Sequence, residues 1–125
     1  MRFIPTKIHG AIDYIVGVLL ILAPWLLGFA YGGIGHWLPV ILGIAVIVYS
    51  LMTDYEYGVA AVIPMPTHLG LDIAGGALLA VSPWLFGFAD IVYWPHLVVG
   101  LLEIGIGIMT KTHRSSTSEA SLGRF

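Results

Sequence analysis

The chain has 125 residues, no cysteine and very little charge. The lack of cysteine excludes a disulfide framework, a thiolate metal site and a cysteine nucleophile. Only 10% of the residues are charged, whereas a soluble domain has about 25%. The five Lys and Arg residues give no basic surface for nucleic acid. Apolar residues make up 58% of the chain, and a soluble chain of this size could not bury so much apolar surface. We therefore expect an integral membrane protein.

The chain contains two copies of one unit. Residues 4–30 recur at 63–89 with an offset of 59, and 13 of the 27 aligned positions are identical. An apolar bias explains matching leucines, but it does not explain a His, an Asp and a Pro-Trp pair that recur in the same register. The segments that follow correspond at an offset of 57, and the matches include Trp37/Trp94, Gly43/Gly100, Ile47/Ile104 and Met52-Thr53/Met109-Thr110. Duplication is therefore the organising feature of the chain.

Four apolar segments predict four transmembrane helices, at about 6–27, 36–54, 66–86 and 94–112. Each is close to the ~20 residues that cross ~30 Å of hydrocarbon. The connections 28–35 and 87–93 are short and contain glycine, so each unit is expected to form an antiparallel hairpin. The predicted fold is an all-α membrane protein of two tandem hairpins. Because each unit crosses the membrane twice, the repeat is parallel, with a pseudo-two-fold axis along the membrane normal.

The predicted organisation has four parts. They are a first repeat hairpin at 1–56, an interfacial linker at 57–65, a second repeat hairpin at 66–112 and a polar, flexible tail at 113–125. Lys and Arg flank the first and last apolar runs and are absent between them, so the positive-inside rule places both termini and the linker on the cytoplasmic side of the membrane. The basic start followed by an apolar run is similar to a signal peptide, but the same segment returns inside the chain, so we expect it to be retained.

A Pro-Trp pair lies near the end of the first helix of each unit, as Pro24-Trp25 and Pro83-Trp84. Trp25 lies ~27 Å along the helix from Lys7, near the outer interface, where tryptophan buries its ring and keeps its N–H close to water. Pro24 removes a backbone hydrogen bond, so the chain is expected to kink or leave the helix there. Our interpretation is an interfacial anchor with a helix stop, and the alternative is a ligand pocket under the two tryptophans.

Two His–Asp pairs and one glutamate are the candidate functional residues within the apolar segments. The spacing of four places each His and its Asp on one helical face near the cytoplasmic side. Intramembrane carboxylates are costly by about 2.5–3.5 kcal/mol, so they should face the bundle interior. We predict one buried polar cluster of His9, Asp13, His68, Asp72 and Glu103. The main interpretation is a set of His–Asp pairs that fix helix register. A proton or metal site and a contact to a pigment or quinone are the alternatives, and for Glu103 a functional and a stabilising role are both open.

Two further histidines, His36 and His96, lie at the outer starts of the second helices. With His9 and His68 they give two histidines per membrane face, the number that two bis-histidine haems need. However, His36 and His96 are out of register in the repeat, and histidine is ordinary at helix ends. We expect no cofactor, and these four residues are the haem-ligand candidates if one is bound.

The two motifs Ala23-Pro24-Trp25 and Ser82-Pro83-Trp84 resemble the SPW-repeat family of small bacterial membrane proteins, which has Ser-Pro-Trp in the first of two membrane helices per repeat. The second copy matches literally, whereas Ala23 in the first lacks a hydroxyl that would bond back to the helix. The segment from Thr53 to Gly58 is also similar to the inter-repeat segment of the family. The resemblance covers about residues 3–110. It implies two membrane hairpins in a bacterial inner (plasma) membrane and brings no established activity with it.

For function, we expect a small structural or accessory membrane protein without catalysis. Its expected partners are the lipid bilayer and either further copies of the chain or other membrane proteins. One alternative is transport of protons or a small solute along the His/Asp faces and Glu103. Another is a redox protein that binds haem or quinone. No nucleophile–base arrangement supports an enzyme.

Overall fold

A computed structural model describes residues 2–112 of the chain. The described residues form four α-helices and no strand. The helices are α1 (Thr6–Leu26), α2 (Ile34–Leu51), α3 (Met65–Leu85) and α4 (Trp94–Met109). The predicted all-helical class is confirmed. The first three helices are long and apolar enough to cross a membrane, whereas α4 is an apolar helix of 16 residues, about 24 Å long. The predicted tail at 113–125 lies outside the described residues.

The ends of α2 and α4 differ from the prediction. Both helices end three residues early, at 51 instead of 54 and at 109 instead of 112, and α2 begins at 34 instead of 36. The residues that follow pair with another part of the chain, because Thr53 forms an isolated parallel bridge with Ile63 and Thr110 forms one with Ile4. The predicted ends of α2 and α4 were wrong. Backbone hydrogen bonds within each helix stop at 51 and 109, and the residues that follow pair with another segment of the chain. For α1 and α3 the bounds agree within one residue.

Within each unit the two helices pack along each other, α1 on α2 and α3 on α4. A glycine pair lies at each crossing. A Cβ atom on Gly43 would lie 2.6 Å from the carbonyl oxygen of Gly17, and a Cβ atom on Gly100 would lie 2.5 Å from the carbonyl oxygen of Gly76. No side chain fits at such distances, so these glycines allow the close helix approach that drives association in lipid.

The first helix of each unit continues through its proline and ends in the same way. Gly28 and Gly87 follow with φ of 77° and 76°, a left-handed conformation that closes a helix at little cost for glycine. The next residue in each turn donates its N–H to a proline carbonyl, that of Pro24 at 2.8 Å and that of Pro83 at 2.7 Å. Each helix therefore stops two residues after its proline, and the chain turns toward the second helix of the unit.

The core between the two units is apolar in its middle. Val16 and Leu20 of α1 and Leu79 of α3 form one buried cluster. Many large apolar side chains on the outside of the bundle are exposed, which suits contact with lipid because hydrocarbon is the solvent of a membrane protein. The polar residues are concentrated at the end of the bundle where α1 and α3 begin.

Candidate functional site

The two His–Asp pairs meet at the first turns of α1 and α3 and form a closed arrangement, here named the His–Asp ring. The Nε2 atom of His9 lies 2.6 Å from Asp72 Oδ2 and 2.9 Å from Asp13 Oδ2. The Nε2 atom of His68 lies 2.6 Å from Asp13 Oδ2 and 3.2 Å from Asp72 Oδ2. All four side chains are fully buried. Nitrogen and oxygen alternate around the ring, and the shortest contacts join one repeat to the other.

A threonine holds the outer nitrogen of each imidazole. The Nδ1 atom of His9 lies 2.7 Å from Thr110 Oγ1, and that of His68 lies 2.8 Å from Thr53 Oγ1. Each threonine hydroxyl donates its own proton to the backbone carbonyl four residues earlier, at 2.6 Å. The hydroxyl oxygen therefore accepts a hydrogen bond from the imidazole, and Nδ1 carries the proton. Each Nε2 atom faces carboxylate oxygens. An imidazole nitrogen without a proton and a carboxylate oxygen both present lone pairs, so a proton or another cation must lie between them.

The position of these threonines follows from how the helices end. Thr53 comes after α2 and Thr110 after α4, and the bridges to Ile63 and Ile4 hold them beside the starts of α3 and α1. Sequence reasoning noted that the two threonines match in the repeat but gave them no role. That match at an offset of 57 is the signal that could have found them.

The ring is supported unequally on its two sides. The Tyr49 hydroxyl of α2 donates a short hydrogen bond to Asp72 Oδ1. At the matching position of α4 the residue is Ile106, and Asp13 Oδ1 has no hydrogen-bond partner among the described residues. Asp72 therefore uses both carboxylate oxygens, whereas Asp13 has one unpartnered oxygen. Sequence reasoning missed Tyr49, since its repeat counterpart is apolar.

Glu103 lies near the ring without a hydrogen bond to it. The residue is 3% exposed, and within residues 2–112 neither of its carboxylate oxygens has a hydrogen-bond partner. It lines a cavity of about 340 Å³ together with Asp72 and Tyr49. Of the five residues predicted to form one cluster, the structure therefore joins four by hydrogen bonds, and the fifth, Glu103, lines the same cavity as Asp72.

The segment between α2 and α3, residues 52–64, covers the His–Asp ring. Tyr55 is 2% exposed, and its ring centroid lies 5.6 Å from that of His68. Burial raises the pKa of the Tyr55 phenol, so this side chain stays neutral. Gly10 of α1 leaves room for the Tyr55 ring, because a Cβ atom there would collide with it. Thr6 donates its hydroxyl proton to Glu56 at 2.7 Å, which ties the segment between α2 and α3 to the start of α1.

His36 and His96 lie at the other end of the helices, away from the ring. The His96 Nε2–H donates to the carbonyl oxygen of Gly35 at 2.8 Å, and His36 Nδ1 accepts the N–H of Gly32 at 3.0 Å. The four haem-ligand candidates are therefore divided between two ends of the bundle, two at each.

The tryptophans of the repeated motif lie on the outside of the bundle. Trp25 and Trp84 are each 55% exposed. A second, apolar cavity of about 260 Å³ lies between α1 and α4, and it is lined by Trp94 but by neither motif tryptophan. These positions fit the anchor interpretation better than a ligand pocket beneath the two rings.

The serine of the second motif has a clear backbone role. Ser82 donates its hydroxyl proton to the carbonyl oxygen of Leu79 at 2.7 Å. Leu79 lies four residues before Pro83, whose nitrogen has no proton to donate to that carbonyl. The Ser82 hydroxyl thus replaces the hydrogen bond that the proline removes, and Ala23 in the first copy cannot do so for Leu20.

Comparison with known families places this architecture in one of them. The SPW repeat domain matches residues 7–110, which is most of the chain and includes all of the His–Asp ring. Comparisons with curated proteins and with solved structures found no match. The family that the duplicated Pro-Trp motifs predicted is confirmed, and this chain belongs to the SPW repeat family.

Proposed function

We propose that this protein is a small structural or accessory membrane protein with four spans in two tandem, parallel hairpins, and that the His–Asp ring is the clamp that joins them. The crossed pairing carries the proposal, because His9 of the first unit contacts Asp72 of the second and His68 contacts Asp13. With both histidines protonated and both carboxylates ionised, the ring has no net charge. Four costly side chains are thereby made compatible with a membrane interior.

The proposed setting is a bacterial inner membrane with both termini in the cytoplasm. Arg2, Lys7 and Lys111 all lie at the end of the bundle that holds the ring, which agrees with the positive-inside rule. The Arg2 guanidinium donates to the carbonyl oxygens of Gly107 and Thr110, at 3.0 and 2.7 Å, and so closes the end of α4. The bilayer is the principal proposed partner, with a second copy or another membrane protein beside it. We propose no haem or quinone, and the visible absorbance of the purified protein tests the proposal for haem.

The absence of native cysteine allows a direct test of the four spans. Tyr31→Cys and Val59→Cys place thiols at positions that are 74% and 80% exposed, and Thr112→Cys places one after α4. A membrane-impermeant maleimide should label Tyr31→Cys in intact cells, and the other two only after the membrane is opened. Labelling of Thr112→Cys but not of Val59→Cys in intact cells would show that α4 does not cross, and it would overturn the four-span proposal.

A second proposed function is proton transport, which the surroundings of Glu103 favour. Glu103 has two unpartnered carboxylate oxygens and lines the same cavity as Asp72, so two carboxyl groups that can take up a proton border one cavity. Proteoliposomes with an imposed membrane potential and an internal pH dye distinguish the two proposals. The clamp proposal expects a proton flux equal to that of protein-free liposomes. Transport expects a higher flux that Glu103→Gln abolishes.

A further inference from the structure

We propose that the His–Asp ring binds one divalent transition-metal cation of the zinc class, with His9, Asp13, His68 and Asp72 as its four ligands. One candidate ligand atom from each residue lies within 4.8 Å of all the others. Two imidazole nitrogens and two carboxylate oxygens are a donor set that suits zinc and its neighbours. This proposal goes beyond the clamp, which needs no metal.

The ring needs little movement to become a coordination shell. Its four sides measure 2.6, 2.9, 2.6 and 3.2 Å between nitrogen and oxygen. In a tetrahedral site with bonds of about 2.0–2.1 Å, the ligand atoms lie about 3.3 Å apart. Each side must therefore open by less than ~1 Å, which side-chain rotation can supply.

The exchange of protons for a metal balances in charge. The threonines fix the other proton of each histidine on Nδ1, so the protons of the closed ring lie on the two Nε2 atoms. One divalent cation displaces both protons, and each Nε2 lone pair and each carboxylate then forms a bond to the metal. The ring has zero net charge before and after the exchange, so no additional charge is buried in the membrane.

The surroundings of the ring are those of a metal site. Metal-binding histidines donate their second N–H to an oxygen, which fixes the tautomer and the ring orientation, and Thr53 and Thr110 provide that oxygen here. Tyr49 holds the outer oxygen of Asp72 in the same way. Asp13 Oδ1, which is buried and has no partner among residues 2–112, remains as a further oxygen for the cation. The cavity lined by Glu103 also borders Asp72, one of the four proposed ligands.

The test uses the full chain in detergent, stripped with a chelator and titrated with Co²⁺ and with Zn²⁺. We expect one Co²⁺ per chain with the strong visible bands of four-coordinate cobalt, their loss on adding Zn²⁺, and two protons released per Zn²⁺ in weakly buffered solution. Asp13→Asn and Asp72→Asn should each weaken binding at least tenfold. Asp90→Asn, which removes an exposed carboxylate from the loop before α4, should bind like the wild type.

The threonines provide a test that does not alter a ligand. Thr53→Val and Thr110→Val keep the side-chain shape and should weaken Zn²⁺ binding about 10–100-fold, because they remove only the groups that orient the histidines. These variants decide the matter if the aspartate variants do not fold. Wild-type protein that binds no Co²⁺ at millimolar concentration overturns the proposal, as does binding that the Asp and Thr variants leave unchanged or that releases no protons. A ring that couples the hairpins but binds no metal leaves the clamp intact and refutes only the metal site.

Discussion

Neutralising both ring carboxylates is the most direct perturbation of the clamp. Asp13 and Asp72 each accept from the same two Nε2 atoms, at distances of 2.6–3.2 Å. Breaking a buried ion pair by removing one partner costs about 3–5 kcal/mol, because the remaining charge has no counter-charge. Asp13→Asn and Asp72→Asn should therefore each lower the free energy of unfolding by about that amount.

The double variant tests whether the four residues act as one network. If the aspartates were independent, the double variant would lose about 6–10 kcal/mol, twice the cost of a single buried break. In a shared ring the first replacement already disrupts the bonds that the second would remove, so we expect a loss smaller than the sum by about 1–3 kcal/mol.

The assay is unfolding in mixed micelles as the fraction of denaturing detergent rises, followed by the fluorescence of the four tryptophans. Asp90→Asn is the control, since an exposed carboxylate should change stability by less than about 0.5 kcal/mol and should combine additively with either ring variant. Additive losses for Asp13→Asn and Asp72→Asn would refute the ring as a coupled unit. The clamp proposal would then have no support.

Three further predictions use the same unfolding assay. Gly100→Ala should cost about 1–3 kcal/mol, because its Cβ would lie 2.5 Å from the carbonyl oxygen of Gly76 on the neighbouring helix. Gly105→Ala is the control, since it has open space and should be neutral or stabilising. Equal effects of the two variants would contradict this packing. Ser82→Ala should cost about 1 kcal/mol, because its hydroxyl satisfies the Leu79 carbonyl, and Ala23→Ser should gain a similar amount, since Ala23 borders a cavity with room for a hydroxyl. An unchanged stability for Ser82→Ala would show that its hydroxyl satisfies no carbonyl. Tyr49→Phe should cost about 1.5–3 kcal/mol, because it removes a hydrogen bond to a charged group, and no change in stability would argue against that bond.

Much of the helical architecture could be predicted from the sequence. Apolar runs of about 20 residues leave few choices for backbone in lipid, so the starts and ends of α1 and α3 follow to within one residue. The ends of α2 and α4 could not be predicted in this way. They depend on Thr53 and Thr110 leaving the helix to pair with Ile63 and Ile4, which is a tertiary contact with no signature in hydropathy.

The candidate site shows the same division between local and tertiary information. A spacing of four within each His–Asp pair and the symmetry of the repeat were enough to predict that the pairs face each other. The hydroxyl partners were not predictable, because Thr53 reaches His68 only after the chain folds back at the end of α2. Comparison of the repeats could not predict the role of Tyr49, since its counterpart, Ile106, has no side-chain hydrogen-bond donor.

The places where the two repeats differ bear on whether the ring is only a clamp. A clamp requires only the four ring residues and the two threonines, and these match exactly between the units. Two further polar residues near the ring have no polar counterpart in the other repeat. Tyr49 corresponds to Ile106, and Glu103 corresponds to Val46. Both residues line the cavity that reaches Asp72, and a buried carboxylate without hydrogen bonds destabilises a bundle. Stability alone therefore explains the symmetric part of the ring but not Glu103. Transport should therefore be sought at the cavity that Glu103, Tyr49 and Asp72 line.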